Sequence, residues 1–522
     1  MAETASLDAA TRERRAGAAW LGAVIGLVVA GVAVGVAHLV AGVANPDASP
    51  LVAVGETAID ASPEWLKAWA IRSFGQADKV VLLLGIGVVL AAIAVAVGIA
   101  SVRRRWVALA GLGTLGAVGV LAALTRPDAV PGDAIPTLAG AAVGALVLGL
   151  LRRSASLDEP PPPHEMPREF DRRRFLIAAG AGAVAAVAAG GAGTFLGRRA
   201  RASASRADVT IPDPVGPAPP TASDGVAVPG LGPFHTPNDR FYRVDTALFV
   251  PAVEAEGWEL RVHGMVEREL VLDYRQLLAR ALIERDITLA CVSNPVGGPY
   301  VGNARWVGAG LKDLLEEAGV RPGADQLVSR SVDGFTIGTP TAAVTDGRDA
   351  LLAVSMNGEP LPLEHGFPVR MVVPGLYGYV SAMKWLVELE LTTFASYDAY
   401  WVQRGWAEQA PIKTMSRIDT PAGSKPVRAG RVPIAGVAWA QHRGIERVEV
   451  RVDDGAWLEA ELTDEGTIDT WRQWVAMWDA TPGEHRLQVR ATDGDGVAQP
   501  EDRAEPFPDG AAGWHTVVVQ VA

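Results

Sequence analysis

The chain has one cysteine in 522 residues, Cys291. A single thiol forms no internal disulfide, so cross-linking contributes nothing to the fold. Zinc sites of the usual kind take three or four Cys, His or acidic ligands, and no paired cysteine spacing supplies them. A CxxCH haem attachment is excluded for the same reason. Net positive charge is lacking too. Lys and Arg number 47 against 59 Asp and Glu, a net charge of −12, whereas a nucleic-acid binder presents a basic face. No GxGxxG follows a strand and opens a helix, and GxxxxGK[ST] is absent, so neither a nicotinamide site nor a nucleotide P-loop is supported.

Charge is also missing from long stretches of the first two hundred residues, which are dominated by Ala, Gly, Val and Leu. A spanning helix needs about 20 mostly apolar residues. Trp20–Val43 qualifies, with His38 as its only ionisable residue, and Val80–Ala100 and Trp106–Leu124 contain no charge. Ile135–Leu151 is shorter and equally clean, and Phe175–Leu196 is a fifth run rich in Ala and Gly. Soluble helices interrupt their apolar face with charge every turn, and these do not. One intramembrane histidine gives no bis-histidine haem, and transport paths usually need polar groups, which counts against a transporter built on these helices.

Arginines flank the runs. Arg12, Arg14 and Arg15 precede the first, and Arg103, Arg104 and Arg105 separate the second from the third. Arg152 and Arg153 follow the fourth, and Arg168 with Arg172–Arg174 precede the fifth. If the helices alternate, all four clusters lie on one side, which the positive-inside rule makes the cytoplasm. Everything after the fifth run then lies outside. Arg198, Arg199 and Arg201 break the rule. In the first outer loop, Pro63–Gly75 ("PEWLKAWAIRSFG") reads either as a short helix at the membrane surface or as a plain loop. Arg172-Arg173-Arg174-Phe175-Leu176 resembles the RRxFL pattern of twin-arginine export signals, which carry folded proteins; the alternative is that these arginines only anchor a helix.

The domains divide as follows: a four-helix transmembrane region at 1–155, a cytoplasmic linker at 156–174, a fifth helix at 175–197, and a Pro/Ser/Gly-rich linker at 198–234. A globular domain follows at 235–405. Gly257–Val266 and Gln326–Gly338 alternate like strands, while "DYRQLLARAL" and "LKDLLEEAGV" have helical spacing, the second stopping on Gly319. Strands and helices mix without a βαβ rhythm, so α+β is the class. From 411 to 522 short alternating strands between turns, with a hairpin at Asp453-Asp454-Gly455, are the pattern of an immunoglobulin-like β-sandwich.

Cys291 stands after the apolar strand "DITLA" and before the Pro/Gly-rich loop "NPVGGPYVGN". Two readings stay open on the residues alone. A free cysteine is commonly a small buried hydrophobe. A strand end opening into such a loop is also where sites are built, and a thiolate is a nucleophile and metal ligand.

Taken together, "TPNDRFYRVD" (Thr236–Asp245), "ITLACVSN", "MNGEPLPLEHGFPVRMVVPGLYGYVSAMKWL" (Met356–Leu386) and the final sandwich resemble the sulfite oxidase family of molybdenum enzymes, over roughly 235–522 and in the right order. The helical front end lies outside that likeness. The resemblance implies a molybdenum–molybdopterin cofactor with Cys291 as thiolate ligand, a donor soft enough for such a metal. It assigns His365, Arg370 and Lys384 to cofactor contacts, and the two cations suit an anionic pterin phosphate. Asn238, Tyr242 and Arg243 fall in the family's early cofactor and substrate segment, and Asp333 is matched to a pterin hydrogen bond. Arg243 and Arg472, the latter in "DTWRQW", are the expected substrate-side cations beside Cys291.

Three departures bear on the substrate. The family's Asn-Arg-Arg after the metal cysteine is here Val292-Ser293-Asn294-Pro295-Val296. Its Arg-Asn-His is Arg243-Val244-Asp245. A catalytic tyrosine aligns with Trp406. The expected activity is oxygen-atom exchange with a small substrate, in either direction, by a membrane-anchored, outward-facing oxidoreductase. Its expected partners are a separate electron donor or acceptor, membrane lipid, and a second copy through the sandwich; nucleic acid is not among them. The alternative is a retired enzyme fold serving as a membrane assembly or sensor protein.

Overall fold

The computed structural model describes the chain except residues 1, 46–47, 64–65, 67–68, 71–72, 75–77, 103, 127–128, 155–176, 178–179, 183, 185–197, 217–227, 248, 424–425 and 465. Two compact units result. One runs from Met1 to Arg201 with Ala247–Val250, the other comprises Ala202–Thr246 and Pro251–Ala522.

The first unit is helical: α1 Ala2–Ala44, α2 Pro50–Ala61, α3 Asp78–Ser101, α4 Arg105–Leu124 and α5 Ile135–Ser154. Four segments among the described residues are long and apolar enough to cross a membrane: Ala18–Ala44, Val81–Ser101, Trp106–Leu124 and Pro131–Ser154. These coincide with the first four expected runs. Most of the fifth, Phe175–Leu196, lies outside the described residues, as do Arg172–Leu176, the linker 158–170 and much of Pro63–Gly75. Small residues let the helices touch backbone to backbone. A Cβ on Gly26 of α1 would stand 2.1 Å from the Ala94 carbonyl of α3, and one on Gly140 of α5 would stand 2.2 Å from the Ala33 carbonyl of α1. This is the small-residue packing that membrane helices use in place of a hydrophobic driving force. Helix α2 is unanticipated. Pro50 opens it at a position where a missing N–H costs nothing, and Val52, Ala53 and Gly55 are buried.

The helix α6, Arg198–Asp208, begins the stretch read as open linker, and from Ala202 onward it belongs to the second unit. Its Arg206 donates to the Pro360 and Leu361 carbonyls and pairs with Glu359 at 2.9 Å, so this part of the chain is tied down. The strands that follow are β1 Glu259–Gly264, β2 Leu270–Asp273, β3 Leu282–Ala290, β4 Val301–Gly310, β5 Gln326–Ser331, β6 Thr336–Pro340, β7 Leu351–Met356, β8 Glu359–Pro360, β9 Arg370–Val372 and β10 Leu386–Thr392. They form two sheets, β2-β1-β10-β5-β6 and β3-β4-β7-β8, with β9 beside β7. Only β1 and β10 pair in parallel within the first sheet. The helix Leu311–Ala318 stops at Gly319, whose φ of 73° is the left-handed conformation that ends helices. This is the α+β arrangement anticipated from the mixed patterns.

The last strands are β11 Met415–Thr420, β12 Gly430–Trp439, β13 Ile445–Val452, β14 Leu458–Glu459, β15 Glu461–Leu462, β16 Arg472–Ala480, β17 Gly483–Asp493 and β18 His515–Val521. They make two four-stranded sheets, β11-β12-β16-β15 and β14-β13-β17-β18. Ile434 and Trp474 of one sheet share a core with Val448, Leu487 and Val519 of the other, which makes the pair a sandwich.

Candidate active site around Cys291

Strand β3 pairs with β4 until Ala290 meets Val301, and its last five residues are buried. The chain then leaves the ladder at Cys291. The loop it enters is closed by its own polar groups. Cys291 N–H donates to the Tyr300 carbonyl at 2.9 Å, Asn294 N–H donates to the Cys291 carbonyl at 3.1 Å, and Tyr300 N–H donates to Asn294 Oδ1 at 2.9 Å. The sandwich holds the loop from outside. Arg417 Nη1 donates to the Gly298 carbonyl at 2.8 Å, Gln441 Nε2 to the Thr288 carbonyl at 2.8 Å, and Trp471 N–H to Thr288 Oγ1 at 2.8 Å. Gly297, at φ 75°, leaves room for the His515 ring, which a Cβ there would meet at 2.2 Å.

The thiol itself is 9 % exposed and hydrogen-bonds Ser293 Oγ at 2.9 Å. Burial pushes its pKa up; the Ser293 contact and the Lys384 charge oppose that.

Beside it runs an aromatic wall. Phe241 stacks on Tyr242 with centroids 5.3 Å apart and meets Trp306 and His365 edge-on at 6.0 and 5.6 Å. Tyr242 faces Tyr300 at 6.5 Å. Burial, and secondarily Cys291, raises the Tyr242 phenol well beyond its usual range, so this hydroxyl is a donor at neutral pH. Tyr377, which the sequence reading did not single out, is 4 % exposed, and burial pushes it up to about 12.

Arg370, on β9, is 6 % exposed. It lies 5.3 Å from the Trp306 ring centroid and makes one long hydrogen bond, Nη1 to the His365 carbonyl at 3.4 Å. Its Nε is buried with no hydrogen-bond partner. Burial lowers its pKa to about 10, against the charges of Tyr242 and Asp245. A guanidinium desolvated without a bound anion is costly, so Arg370 is suited to meeting one.

His365 Nε2 donates to the Asn238 main-chain carbonyl at 2.9 Å. A carbonyl only accepts, so the proton sits on Nε2, and Nδ1 is the acceptor of a neutral ring. Burial and the Arg370 charge bring its pKa down to about 4. The Asn238 side chain is occupied. It donates to the Met356 carbonyl at 3.2 Å and Glu359 Oε1 at 2.6 Å, and accepts from Asn357 Nδ2 at 2.8 Å.

Lys384 Nζ and Arg243 Nε meet on one oxygen, Asp245 Oδ2, at 2.7 and 2.9 Å. Asp333 sits in the β5–β6 turn, where its Oδ1 accepts from Phe335 N–H at 3.2 Å, and the preceding turn residue, Val332, donates its N–H to the Trp385 carbonyl at 3.0 Å. The structure therefore brings Cys291, Tyr242, Arg370, His365, Arg243 and Lys384 into one neighbourhood, with Asp333 at its edge. Arg472 is engaged elsewhere. At the start of β16 it donates to the Thr463 carbonyl through Nε and Nη2, at 3.1 and 2.5 Å, and to the Ile445 carbonyl at 2.8 Å. Trp406 stacks among Tyr379, Trp401 and Phe507 and has a buried Nε1 without a partner.

One soft sulfur donor, a buried guanidinium with an unmet N–H and a neutral imidazole acceptor are the donor set that a thiolate-bound metal carrying an anionic organic group requires.

Residues 247–401 match the family model described as oxidoreductase molybdopterin binding domain. Sulfite oxidase of Drosophila melanogaster is 32 % identical over 310 residues, covering 50 % of this chain and 52 % of that protein. Sulfite oxidase of Gallus gallus is 32 % identical over 293 residues, 48 % of this chain and 63 % of the other. The oxidoreductase YuiH of Bacillus subtilis is 33 % identical over 149 residues, 28 % of this chain and 72 % of the relative. The sulfane dehydrogenase SoxCD of Paracoccus pantotrophus aligns at a TM-score of 0.49 and 25 % identity, over 57 % of this chain and 85 % of that one. The chain belongs to the sulfite oxidase family of molybdopterin oxidoreductases, whose cofactor is molybdenum–molybdopterin. It spans between half and just under two thirds of the length of the animal sulfite oxidases it matches.

Proposed function

We propose that the protein is a membrane-anchored oxidoreductase that moves an oxygen atom to or from a small substrate and exchanges electrons with a separate partner. The observation that carries this reading is the lone buried thiol of Cys291 with Tyr242 as the neighbour it shares with Arg370, a buried cation whose Nε is unmet. When bound, the molybdenum–pterin group supplies the two-electron oxygen-transfer couple.

The chain's own residues then have distinct tasks. Cys291 would hold the metal as its thiolate, with coordination offsetting the burial that favours the protonated thiol. Arg370 offers a guanidinium to the pterin phosphate, with His365 as a neutral neighbour whose Nδ1 accepts a hydrogen bond. Lys384 stands nearby as a point charge moderated by Asp245. Asn238 positions rather than binds, because its carbonyl fixes the His365 tautomer while its side chain is used within the fold. Tyr242 keeps its phenolic proton and offers it as a donor. Asp333 orders its turn beside the Lys384–Trp385 segment. Arg243, a third exposed and paired with Asp245, is the substrate-side cation of this reading.

The substrate side is short of positive charge. The run Val292–Val296 after Cys291, where the family's pattern carries arginines, has none, and Val292 and Val296 in it are buried and apolar. Arg243 shares its carboxylate with Lys384, and Arg472 is held by three carbonyl bonds. A dianion desolvated there would be poorly compensated. That favours a neutral or weakly charged oxygen donor or acceptor over a sulfite-like one.

Four apolar spans support membrane anchoring, and the arginine clusters support an outer-side catalytic domain. The Arg172–Leu176 motif supports twin-arginine export, and the two-sheet core supports an immunoglobulin-like sandwich that pairs two copies. The test is molybdenum and pterin content of membrane-purified protein, wild type beside Cys291→Ser. About one molybdenum per chain, with an altered metal spectrum in the variant, supports thiolate ligation. Absence of both metal and pterin, from a host that makes the cofactor, overturns the enzyme reading in favour of a retired fold.

A further inference from the structure

The helical unit encloses a cavity of about 160 Å³ between α1, α2, α3, α4 and α5. That is the size of a single six-membered ring; apolar cavities of this volume in proteins stay dry and take up such rings. Its walls carry no charged and no aromatic side chain, so a charged ligand finds no counter-ion there. Two hydroxyls line it. Ser101 donates to the Gly98 carbonyl at 2.7 Å and is satisfied. Thr137, in the first turn of α5, is 5 % exposed, and its Oγ1 has no hydrogen-bond partner.

An unmet hydroxyl in a hydrocarbon setting is expensive, so it points to an occupant with a hydrogen-bond acceptor. An acyl chain has none along its length. At the Ser101 end Arg152 donates to the Ser101 carbonyl at 2.8 Å, so the polar groups there satisfy one another, and further polar contacts lie at the Thr137 end. His38 Nδ1 meets Ser49 Oγ at 3.0 Å, Asn45 donates to Asp133 at 3.0 Å, and Arg126 pairs with Glu56 at 3.1 Å. A molecule with a carbonyl-bearing ring and an apolar tail, entering from the bilayer, matches this arrangement: ring at Thr137, tail along the apolar walls.

We propose that the bundle is a binding site for a prenylated quinone, held by one hydrogen bond from Thr137 to a ring carbonyl. The choice of a quinone among neutral ring compounds rests on the oxidoreductase reading above, and this names the chemical class of its membrane partner. The cavity, the neutrality of its walls and the unmet hydroxyl do not depend on that reading.

The test uses the full-length protein in detergent, ubiquinone with a single isoprenyl unit as probe, and ultraviolet quantification of the ring retained after gel filtration. Thr137→Val keeps the shape and removes the donor. Gly116→Leu fills the cavity, at a position where a Cβ meets nothing nearer than Ala141 Cβ at 3.7 Å. The expected result is saturable binding that weakens roughly tenfold in Thr137→Val, as loss of one buried hydrogen bond implies, and is lost in Gly116→Leu. Equal binding by wild type and both variants, or full displacement by decane, overturns the proposal and leaves the cavity to lipid chains. Molybdenum is measured on the same samples. Metal without quinone sinks only this inference, and quinone without metal sinks only the redox function.

Discussion

Asp245 holds Lys384 by a single oxygen, 2.7 Å from Nζ, and shares that oxygen with Arg243. The carboxylate is 5 % exposed and the ammonium 10 %. Removing one member of a buried pair strands the other. Asp245→Asn is expected to cost about 3 kcal/mol of stability, read as a lowered thermal midpoint by near-ultraviolet circular dichroism. Adding Lys384→Met to it should return part of that loss, because the double variant buries no lone charge. If Asp245→Asn melts like the wild type, the pair is not what fixes this corner.

Arg370 makes the opposite prediction, because no carboxylate hydrogen-bonds its buried guanidinium, whose one bond is the long one to the His365 carbonyl. In protein made without cofactor, Arg370→Met should be more stable than wild type by about 2 kcal/mol, since an apolar side chain replaces a poorly compensated buried cation. In protein made with cofactor, pterin retention should fall at least about tenfold, the worth of a charge-assisted hydrogen bond. A residue kept for packing alone would lower stability in both preparations.

Much of this organisation is legible in the sequence. Four helices long and apolar enough to cross a membrane follow from apolar runs, the helix stop at Gly319 from one glycine, and Cys291 from being the only thiol, set where "DITLA" meets a Pro/Gly-rich loop. What stayed hidden depends on contacts between distant residues. Asp245 reads as a mere departure from the family's triplet until the fold brings it to Lys384, 139 positions later. Ser293 touches the thiol only because the loop turns back at Asn294. Tyr377 reads as one more aromatic in a long block, and its burial near Cys291 follows from packing. Helix α2 lacks a long apolar run; its one local sign is the Ser49-Pro50 start.

Acid should weaken the protein through its buried histidines. His365 has a pKa of about 4 in the fold, below its ordinary 6.5. The unfolded chain therefore binds more protons between those values. The stability from this group is complete above about pH 6.5 and is lost as pH falls through 4, a total of about 3 kcal/mol. His515, lowered to about 4 by burial and by Arg417 and Arg503, adds loss of the same sign in the same window. Its Nδ1 accepts from Ile418 N–H at 3.0 Å. His515→Asn, whose amide oxygen can take that role, should flatten part of the fall in thermal midpoint between pH 6.5 and 4. An unchanged acid slope would show that His515 is not titrating in that window.

Arg472 separates a substrate cation from a structural one. It donates to Thr463 and Ile445 carbonyls in three hydrogen bonds, all within the sandwich. Arg472→Gln keeps one amide donor and loses the charge. Bonds from a charged donor are worth about 1.5–3 kcal/mol each when the partner is left unmet. The variant is therefore expected to lose about 2 kcal/mol of stability, with the KM for any substrate found by screening changed less than about twofold. Arg243, which is a third exposed and shares Asp245 with Lys384, is the contrasting site: Arg243→Gln should raise KM while the thermal midpoint falls less than in Asp245→Asn, because Lys384 still neutralises that carboxylate. If Arg472→Gln raises KM tenfold at an unchanged melting point, the guanidinium leaves its carbonyls to meet the substrate, and the family's anion-binding arginine is at work in this chain after all.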